Sequence, residues 1–298
     1  TNGEYTGLVT SLDTDGFTIN HTKDGSDNNT TNRDGGDFVA WCWKANGGTT
    51  SSNTDGTITS TLQTNTNAGF SIIKYTGNGS AGATIGHNLG VVPDMFIVKK
   101  LGSGSTNWRV YHKGIDSTSP QNYNIALNQN AARYDRTEWN DTAPTSSVFS
   151  VNDHESVNES STEYICYAFA DTASFSKYGS YEGNGSDNGP IVETGFEPAF
   201  LMIKNTSNAE SGGASWLIYD NVRSTTNPRD RRLYADEDYA EAQNDNYDLD
   251  FLSNGFQIKS GTSNYGYNNN GDRYIYMAFA TDPDTEAPTL ASSFNIET

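Results

Sequence analysis

An internal repeat with a spacing of about 105 residues is the feature that most constrains the fold of this chain. The string Tyr75-Thr-Gly-Asn-Gly-Ser80 returns 106 positions later as Tyr181-Glu-Gly-Asn-Gly-Ser186. Self-similarity at a fixed period is the sequence signature of a fold built from repeated structural units. Further strings return in the same order, so each copy is expected to fold in the same way. They are Gly90–Lys99 and Gly195–Lys204, Trp108–Tyr111 and Trp216–Tyr219, Phe149–Val151 and Phe256–Ile258, and Tyr164–Ala170 and Tyr274–Ala280.

Each copy has the pattern of a series of short β-strands. Met95–Lys99 and Phe200–Lys204 are apolar runs bounded by turn formers, which is typical of buried central strands. In Tyr164–Ala170 both faces of the predicted strand are apolar, which indicates a position deep between two layers. Arg232–Ala242 is the one candidate for a short helix. The pattern therefore predicts an all-β fold of tandem antiparallel β-sandwich repeats, jelly-roll or lectin-like, of about 105 residues each.

The repeat also predicts how the chain is divided. Asp15–Asn20 and Phe38–Trp43 match late strands of the full copies, and Ser293–Thr298 resembles Gly69–Lys74, the strand that enters a copy. The predicted segments are 1–45, the second half of a repeat; 46–69, a Gly/Ser/Thr-rich linker with room for one strand; 70–174 and 175–282, two full repeats; and 283–298, a linker and the opening strand of a further unit.

Two interpretations of this division are open. In the one we favour, the sequence is a window on a longer protein with more repeats. In the other, the strand near residue 294 completes the half-repeat in residues 1–45, within the chain or between subunits. The second arrangement would be a strand addition, in which an exposed sheet edge accepts a further strand.

Charge and composition exclude several classes of function. The chain has 37 acidic and 18 basic residues, a formal charge of −19, and such a surface repels the phosphates of nucleic acids. No apolar run approaches the length of a membrane helix, so we expect no membrane insertion. Its two cysteines, Cys42 and Cys166, are too few for a disulfide-stapled domain, and both are expected to be buried thiols.

No sequence motif marks a catalytic or cofactor site. Gly77–Gly82 fits the dinucleotide-binding pattern G-x-G-x-x-G, but no helical period follows it, and Gly183–Asn188 lacks the third glycine. We therefore interpret both strings as turns. The histidines are scattered, and neither H-E-x-x-H nor G-x-S-x-G occurs. The sequence predicts that the protein is not an enzyme and has no organic cofactor.

Aspartates at alternate loop positions are the candidate metal ligands, because such oxygen atoms can chelate a structural Ca²⁺ ion. None of the clusters completes a twelve-residue calcium loop, and the competing interpretation is that the aspartates form turns. The candidates are Asp13, Asp15, Asp24, Asp27, Asp282 and Asp284.

Tyrosines in Gly/Asn-rich surroundings are the candidate carbohydrate-binding residues: Tyr178, Tyr181, Tyr265 and Tyr267. An exposed tyrosine ring can stack on a sugar and its hydroxyl group can bond to sugar hydroxyls. The competing interpretation places them half-buried at the rim of the core.

Several of these strings together resemble a known family. They are Phe38–Lys44, Tyr75–Gly79, Trp139–Phe149, Phe251–Phe256 and Tyr274–Ala280. They are similar to repeat-containing proteins of marine bacteriophages that are labelled tail-fibre-like or virion structural proteins. The resemblance implies a location on the virion surface and contact with a host receptor or polysaccharide, and it supplies no catalytic residues.

The sequence therefore predicts a virion or extracellular protein, a tail fibre or surface adhesin module that contacts host glycans through shallow, multivalent sites. The alternative is a structural filament subunit, or a capsid or tail decoration protein, whose terminal strands join neighbouring subunits. The expected partners are other copies of the chain, as a trimer or a filament, other virion proteins and host surface polysaccharide.

Overall fold

The computed structural model describes residues 9–13, 16–19, 36–102, 104–207, 214–243, 247–259, 267–280 and, by backbone alone, 294–297. These residues form 23 strands. The first thirteen are β1 (Val9–Leu12), β2 (Phe17–Ile19), β3 (Ala40–Trp43), β4 (Ser51–Asn53), β5 (Ser60–Asn65), β6 (Phe70–Thr76), β7 (Ala83–Gly86), β8 (Met95–Lys100), β9 (Arg109–His112), β10 (Tyr123–Ala126), β11 (Tyr134–Asp135), β12 (Val148–Val151) and β13 (Glu163–Phe169).

The remaining ten strands follow in the second part of the chain. They are β14 (Ser176–Glu182), β15 (Ile191–Glu193), β16 (Pro198–Asn205), β17 (Leu217–Asp220), β18 (Arg231–Tyr234), β19 (Ala242–Gln243), β20 (Leu249–Leu252), β21 (Gly255–Ile258), β22 (Arg273–Ala280) and β23 (Phe294–Glu297). The described residues also include the short helix α1 (Glu155–Asn158) and a 3-10 turn, Pro120–Asn122. Neither has the length and hydropathy of a membrane-spanning segment.

The chain divides into two units, residues 1–42 with 295–298, and residues 43–294. In the first unit, β1 pairs with β2 in an antiparallel hairpin, and β3 pairs with β23 in a second two-stranded sheet. The side chains of the hairpin are largely exposed; Leu12, for example, is 86% exposed.

Two large antiparallel sheets dominate the second unit. One has the strand order β11-β10-β9-β8-β13-β6-β5-β4, and the other has the order β19-β18-β17-β16-β22-β14. Strands that carry matching strings of the sequence occupy matching places, so β6, β8 and β13 correspond to β14, β16 and β22. Tyr164 lies opposite Tyr75 in the first sheet, and Tyr274 lies opposite Tyr181 in the second.

A small sheet covers one face of each large sheet. Ile85 of β7 and Phe149 of β12 share a buried core with Val98 and Cys166 of the eight-stranded sheet. In the other half, β15, β21 and β20 form a three-stranded sheet, whose Phe256 shares a second core with side chains of the six-stranded sheet. Each large sheet and its small partner enclose an apolar interior, as in sheets packed face to face.

The remaining faces of the two large sheets are packed against each other. All eight residues of β16 are buried, which requires a layer on both sides because side chains alternate between the faces of a strand. The Phe169 ring lies 5.8 Å from the Tyr178 ring, centroid to centroid, and Trp216 Nε1 donates a hydrogen bond to the Ala126 carbonyl at 2.9 Å. Residues of the two large sheets therefore contact each other through these faces.

The all-β, antiparallel prediction is confirmed, and two local predictions are corrected. Segment 46–69, expected as a linker with room for one strand, supplies two strands, β4 and β5, because alternating Ser60 and Leu62 are buried and the whole of β5 pairs with β6. The helix expected in Arg232–Ala242 is wrong, since β18 forms there and pairs with β17. The helix propensity of that segment is outweighed by strand pairing, which extends the sheet.

Candidate functional site

The Gly-Asn-Gly-Ser string of the first copy forms a turn that closes over an asparagine. Gly79 has a φ of +70°, which favours glycine, and its N–H donates to the Asn158 carbonyl at 3.0 Å. Asn158 Nδ2 donates in return to the Ser80 carbonyl at 2.9 Å. A Cβ atom on Gly77 would lie 2.4 Å from the carbonyl oxygen of Glu159, so the backbones approach too closely for any other residue.

The second copy repeats this clamp. Gly185 has a φ of +66°, and its N–H donates to the Asn268 carbonyl at 2.8 Å. Asn268 Nδ2 donates to the Ser186 carbonyl, also at 2.8 Å. Each glycine-rich string is therefore held by hydrogen bonds to an asparagine of its own copy.

Three of the four candidate sugar-binding tyrosines have no exposed ring face. Tyr178, Tyr181 and Tyr267 are 1%, 9% and 0% exposed, and Tyr265 lies outside the described residues. Tyr178 belongs to the interior between the two large sheets, whereas Tyr181 and Tyr267 belong to the core of the second copy, where Tyr181 Oη donates to the Tyr267 carbonyl at 2.7 Å. These three rings pack within the protein. The prediction that they stack on a sugar is therefore wrong.

Of the candidate calcium ligands, Asp13 alone lies within the described residues. Its carboxylate accepts a hydrogen bond from Thr18 Oγ1 at 2.7 Å, and this bond lowers the pKa of Asp13. The described residues contain no group of three or more His, Cys, Asp or Glu side chains suited to a metal ion. Asp15, Asp24, Asp27, Asp282 and Asp284 lie outside the described residues.

His112 is buried between the two large sheets, and its hydrogen bonds fix its tautomer. Its Nδ1 accepts from the Gly114 N–H at 3.0 Å, so Nε2 carries the proton and donates to the Tyr276 carbonyl at 3.1 Å. Burial lowers the pKa of His112 to about 4, against the weaker, opposite effect of the bond to Tyr276. The ring is therefore a neutral link between the two copies.

A charged cluster lies beside His112 where the first copy leads into the second. The Asp171 carboxylate accepts from Lys177 Nζ at 2.6 Å and from Lys113 Nζ at 3.0 Å, and its backbone N–H donates to Asp94 at 2.6 Å. Burial alone would raise the pKa of Asp171, but the hydrogen bonds from Lys177, the Tyr178 N–H and Lys113 outweigh it, and the pKa is lowered. The cluster fixes the connection between β13 and β14.

Lys204 is a buried lysine in the same interior. It is 0% exposed, and its Nζ donates to the carbonyls of Ala131 at 2.8 Å and Asn205 at 2.7 Å. Burial lowers the pKa of Lys204 to about 7, and Asp236 opposes that shift. An amine with a lowered pKa can act as a nucleophile. A substrate cannot reach the Lys204 amine in this structure, because the side chain is fully buried.

One serine–histidine contact has the distance of a catalytic pair. His154 Nδ1 lies 2.7 Å from Ser156 Oγ. The same ring nitrogen accepts from the Ser156 N–H at 3.2 Å and so caps the first turn of α1. Ser156 is 1% exposed and Arg109 Nε donates to its hydroxyl at 3.3 Å, so this contact is a helix cap.

A cavity of about 270 Å³ lies beside the β5–β6 turn. This volume is just below the usual range for ligand pockets, roughly 300–1,000 Å³. Its side chains offer amides, hydroxyls and one ammonium group, and no carboxylate, which is notable in a chain with a charge of −19. Such a lining suits a small polyhydroxylated ligand. It consists of Lys44, Ala45, Asn46, Thr64, Asn65, Thr66 and Asn67.

Comparison with known proteins places the chain in one family. The model of DUF7483, a domain of unknown function, matches residues 1–283. Because the match covers nearly the whole sequence, the chain belongs to this family. No curated protein and no solved structure matches it.

Proposed function

We propose that this member of the DUF7483 family is a non-catalytic structural protein of a virion or another extracellular assembly, built from tandem β-sandwich repeats of jelly-roll or lectin-like type. One observation carries the proposal: the strings that repeat in the sequence are used for packing. The repeated aromatic strands form the large sheets, and the repeated Gly-Asn-Gly-Ser turns close over Asn158 and Asn268. The two copies then bury a face of each large sheet against the other.

The arrangement of polar groups supports a structural role over catalysis. His112, Lys204 and the Asp171 cluster have shifted pKa values, which is often a mark of active sites. Here each of these groups forms hydrogen bonds or ion pairs with other residues of the protein, where the two copies meet. A buried, satisfied polar network of this kind gives the packing a single arrangement.

Contact with host glycans is the second candidate function, and the cavity favours it. Amide and hydroxyl groups match the alternating donors and acceptors of a saccharide, and the lack of carboxylates admits acidic sugars as well. A shallow site of this size binds weakly, so useful attachment requires several copies acting together. Homo-oligomers, such as a trimer or a filament, and other virion proteins are therefore the partners we propose.

Immunogold electron microscopy tests the structural proposal. Antibodies raised against the folded chain are expected to label fibres, tails or the surface of the native particle. Labelling confined to the host cytoplasm, with none on particles or filaments, would overturn the proposal.

A glycan array tests the second candidate. Thr66→Val removes one hydroxyl from the cavity lining and is expected to weaken any saccharide signal. Thr61→Val is the matched control, because Thr61 is exposed on the same β5 hairpin and lies outside the cavity. Equal signals from both variants would place the saccharide elsewhere, and no binding by the parent protein would leave the purely structural role.

A further inference from the structure

The sheet formed by β3 and β23 pairs two strands whose sequences resemble the last and the first strand of a full copy. The last strand of a copy is β13 or β22, and the first is β6 or β14. In both large sheets these two strands are antiparallel neighbours along their whole length.

The two strands of the small sheet carry the matching sequences. Phe38-Val-Ala-Trp-Cys-Trp43, which contains β3, matches Tyr164-Ile-Cys-Tyr-Ala-Phe169 position by position in its aromatic and small residues. Ser293–Thr298, which contains β23, matches Gly69–Lys74 with Phe and Ile at the same places. A last strand is therefore paired with a first strand a third time.

We propose that β23 adds to β3 by strand addition within the chain, in the register with which the first strand of a full copy pairs with its last strand. The proposal rests on the repeat interpretation given above. It assigns to β3 an edge that recognises the first strand of a copy. The matching lengths support it, since β3 and β23 are both four residues long.

The equivalence also fixes a register. In the first copy Phe169 lies opposite Phe70, and Ala168 lies opposite Ser71. With Trp43 in the place of Phe169 and Phe294 in the place of Phe70, Cys42 lies opposite Asn295. Directly opposed residues of antiparallel strands have Cα atoms about 4.5–5.5 Å apart, which is within the reach of a disulfide.

Site-directed crosslinking of the full chain tests both the pairing and the register. We expect Asn295→Cys, oxidised with copper phenanthroline, to form a disulfide with Cys42 roughly tenfold faster than Ile296→Cys, one residue along the strand. The product should be a monomer on a non-reducing gel, with a rate independent of protein concentration. Peptide mapping identifies the linked residues, and Cys166 serves as the internal control because it is fully buried.

The opposing results are equally distinct. Equal crosslinking at positions 295 and 296 would overturn the register. If neither position crosslinks, the pairing itself is wrong. The proposed structural role is tested separately by immunogold labelling. A disulfide found only in dimers overturns closure within one chain. If Asn295→Cys loses its native circular dichroism, Ala40→Cys with Glu297→Cys in a Cys42→Ser chain answers the same question, because this pair corresponds to Cys166 opposite Ile73.

Discussion

Acidification should weaken the contact between the two large sheets through His112. In the folded protein Nδ1 accepts from an N–H, so a second proton on the ring would point at the Gly114 donor and abolish that bond. Burial lowers the pKa of His112 to about 4, whereas an unfolded histidine titrates near 6.5. The groups that face it are Lys113, which further lowers the pKa, and Asp171 and the Tyr276 carbonyl, which raise it.

The sign and size of the effect follow from this difference. Below pH 6.5 the unfolded chain binds the proton that the folded chain rejects, so the free energy of unfolding falls as pH drops from 6.5 towards 4. A difference of about 2.5 pKa units, from 6.5 to about 4, corresponds to about 3 kcal/mol in full and to about 2.5 kcal/mol by pH 4.5.

Guanidinium unfolding at pH 7.5 and pH 4.5 measures the effect, with His112→Asn as the comparison. The asparagine keeps an acceptor near the Gly114 N–H and does not titrate. Carboxylates such as Asp171 also lose stability in acid, but they contribute equally to both proteins and cancel in the double difference. The parent should lose about 2.5 kcal/mol more than the variant. Identical losses, or an NMR titration of His112 near pH 6.5, would refute the reasoning.

Three further predictions concern packing. Gly77→Ala should cost more than about 2 kcal/mol of unfolding free energy in a thermal or denaturant titration, because its Cβ would lie 2.4 Å from a backbone oxygen, whereas Gly48→Ala, with a neighbour at 3.6 Å, should be close to neutral. Asn158→Ala and Asn268→Ala should each cost about 2–3 kcal/mol by the same assay, since each side chain holds its turn by equivalent bonds; a large difference between them would contradict equivalent clamps. Cys166 is fully buried with a raised pKa, so it should resist alkylation at pH 8 until the chain unfolds, and rapid native-state labelling detected by mass spectrometry would contradict this.

The sequence predicts the strands well because the same strand pattern occurs in both copies. The strings around Tyr164 and Tyr274 are apolar on both faces, and the structure places both strands in the middle of large sheets. The Tyr274 strand is buried on both faces, whereas Ile165 and Tyr167 of the Tyr164 strand are half-buried. The signal for a layered interior was therefore present in a single string. The Gly-Asn-Gly-Ser turns were also foreseen, although nothing in the sequence indicates that an asparagine some 80 residues away closes each of them.

What the sequence does not reveal is which copy covers which face. Tyr178 stands among Lys, Gly and Ser residues, so its surroundings in sequence indicate an exposed loop. Its burial arises from the other copy, because Phe169 and the Asp171 cluster meet it from the preceding sheet. The cavity was missed for a similar reason. Its walls come from Lys44 and Ala45 and from residues 46 and 64–67 of the segment that composition marks as a linker.

The face shared by the two large sheets has a consequence for folding. A 175–282 fragment expressed alone would expose an apolar surface that includes residues such as Met202 and Phe279, which are almost fully buried in the whole unit. We therefore expect that neither copy folds as an autonomous domain. Residues 43–294 should unfold in one cooperative step and not one copy at a time. We therefore expect the duplicated sequence to form a single thermodynamic unit, in which each copy is needed for the solubility of the other.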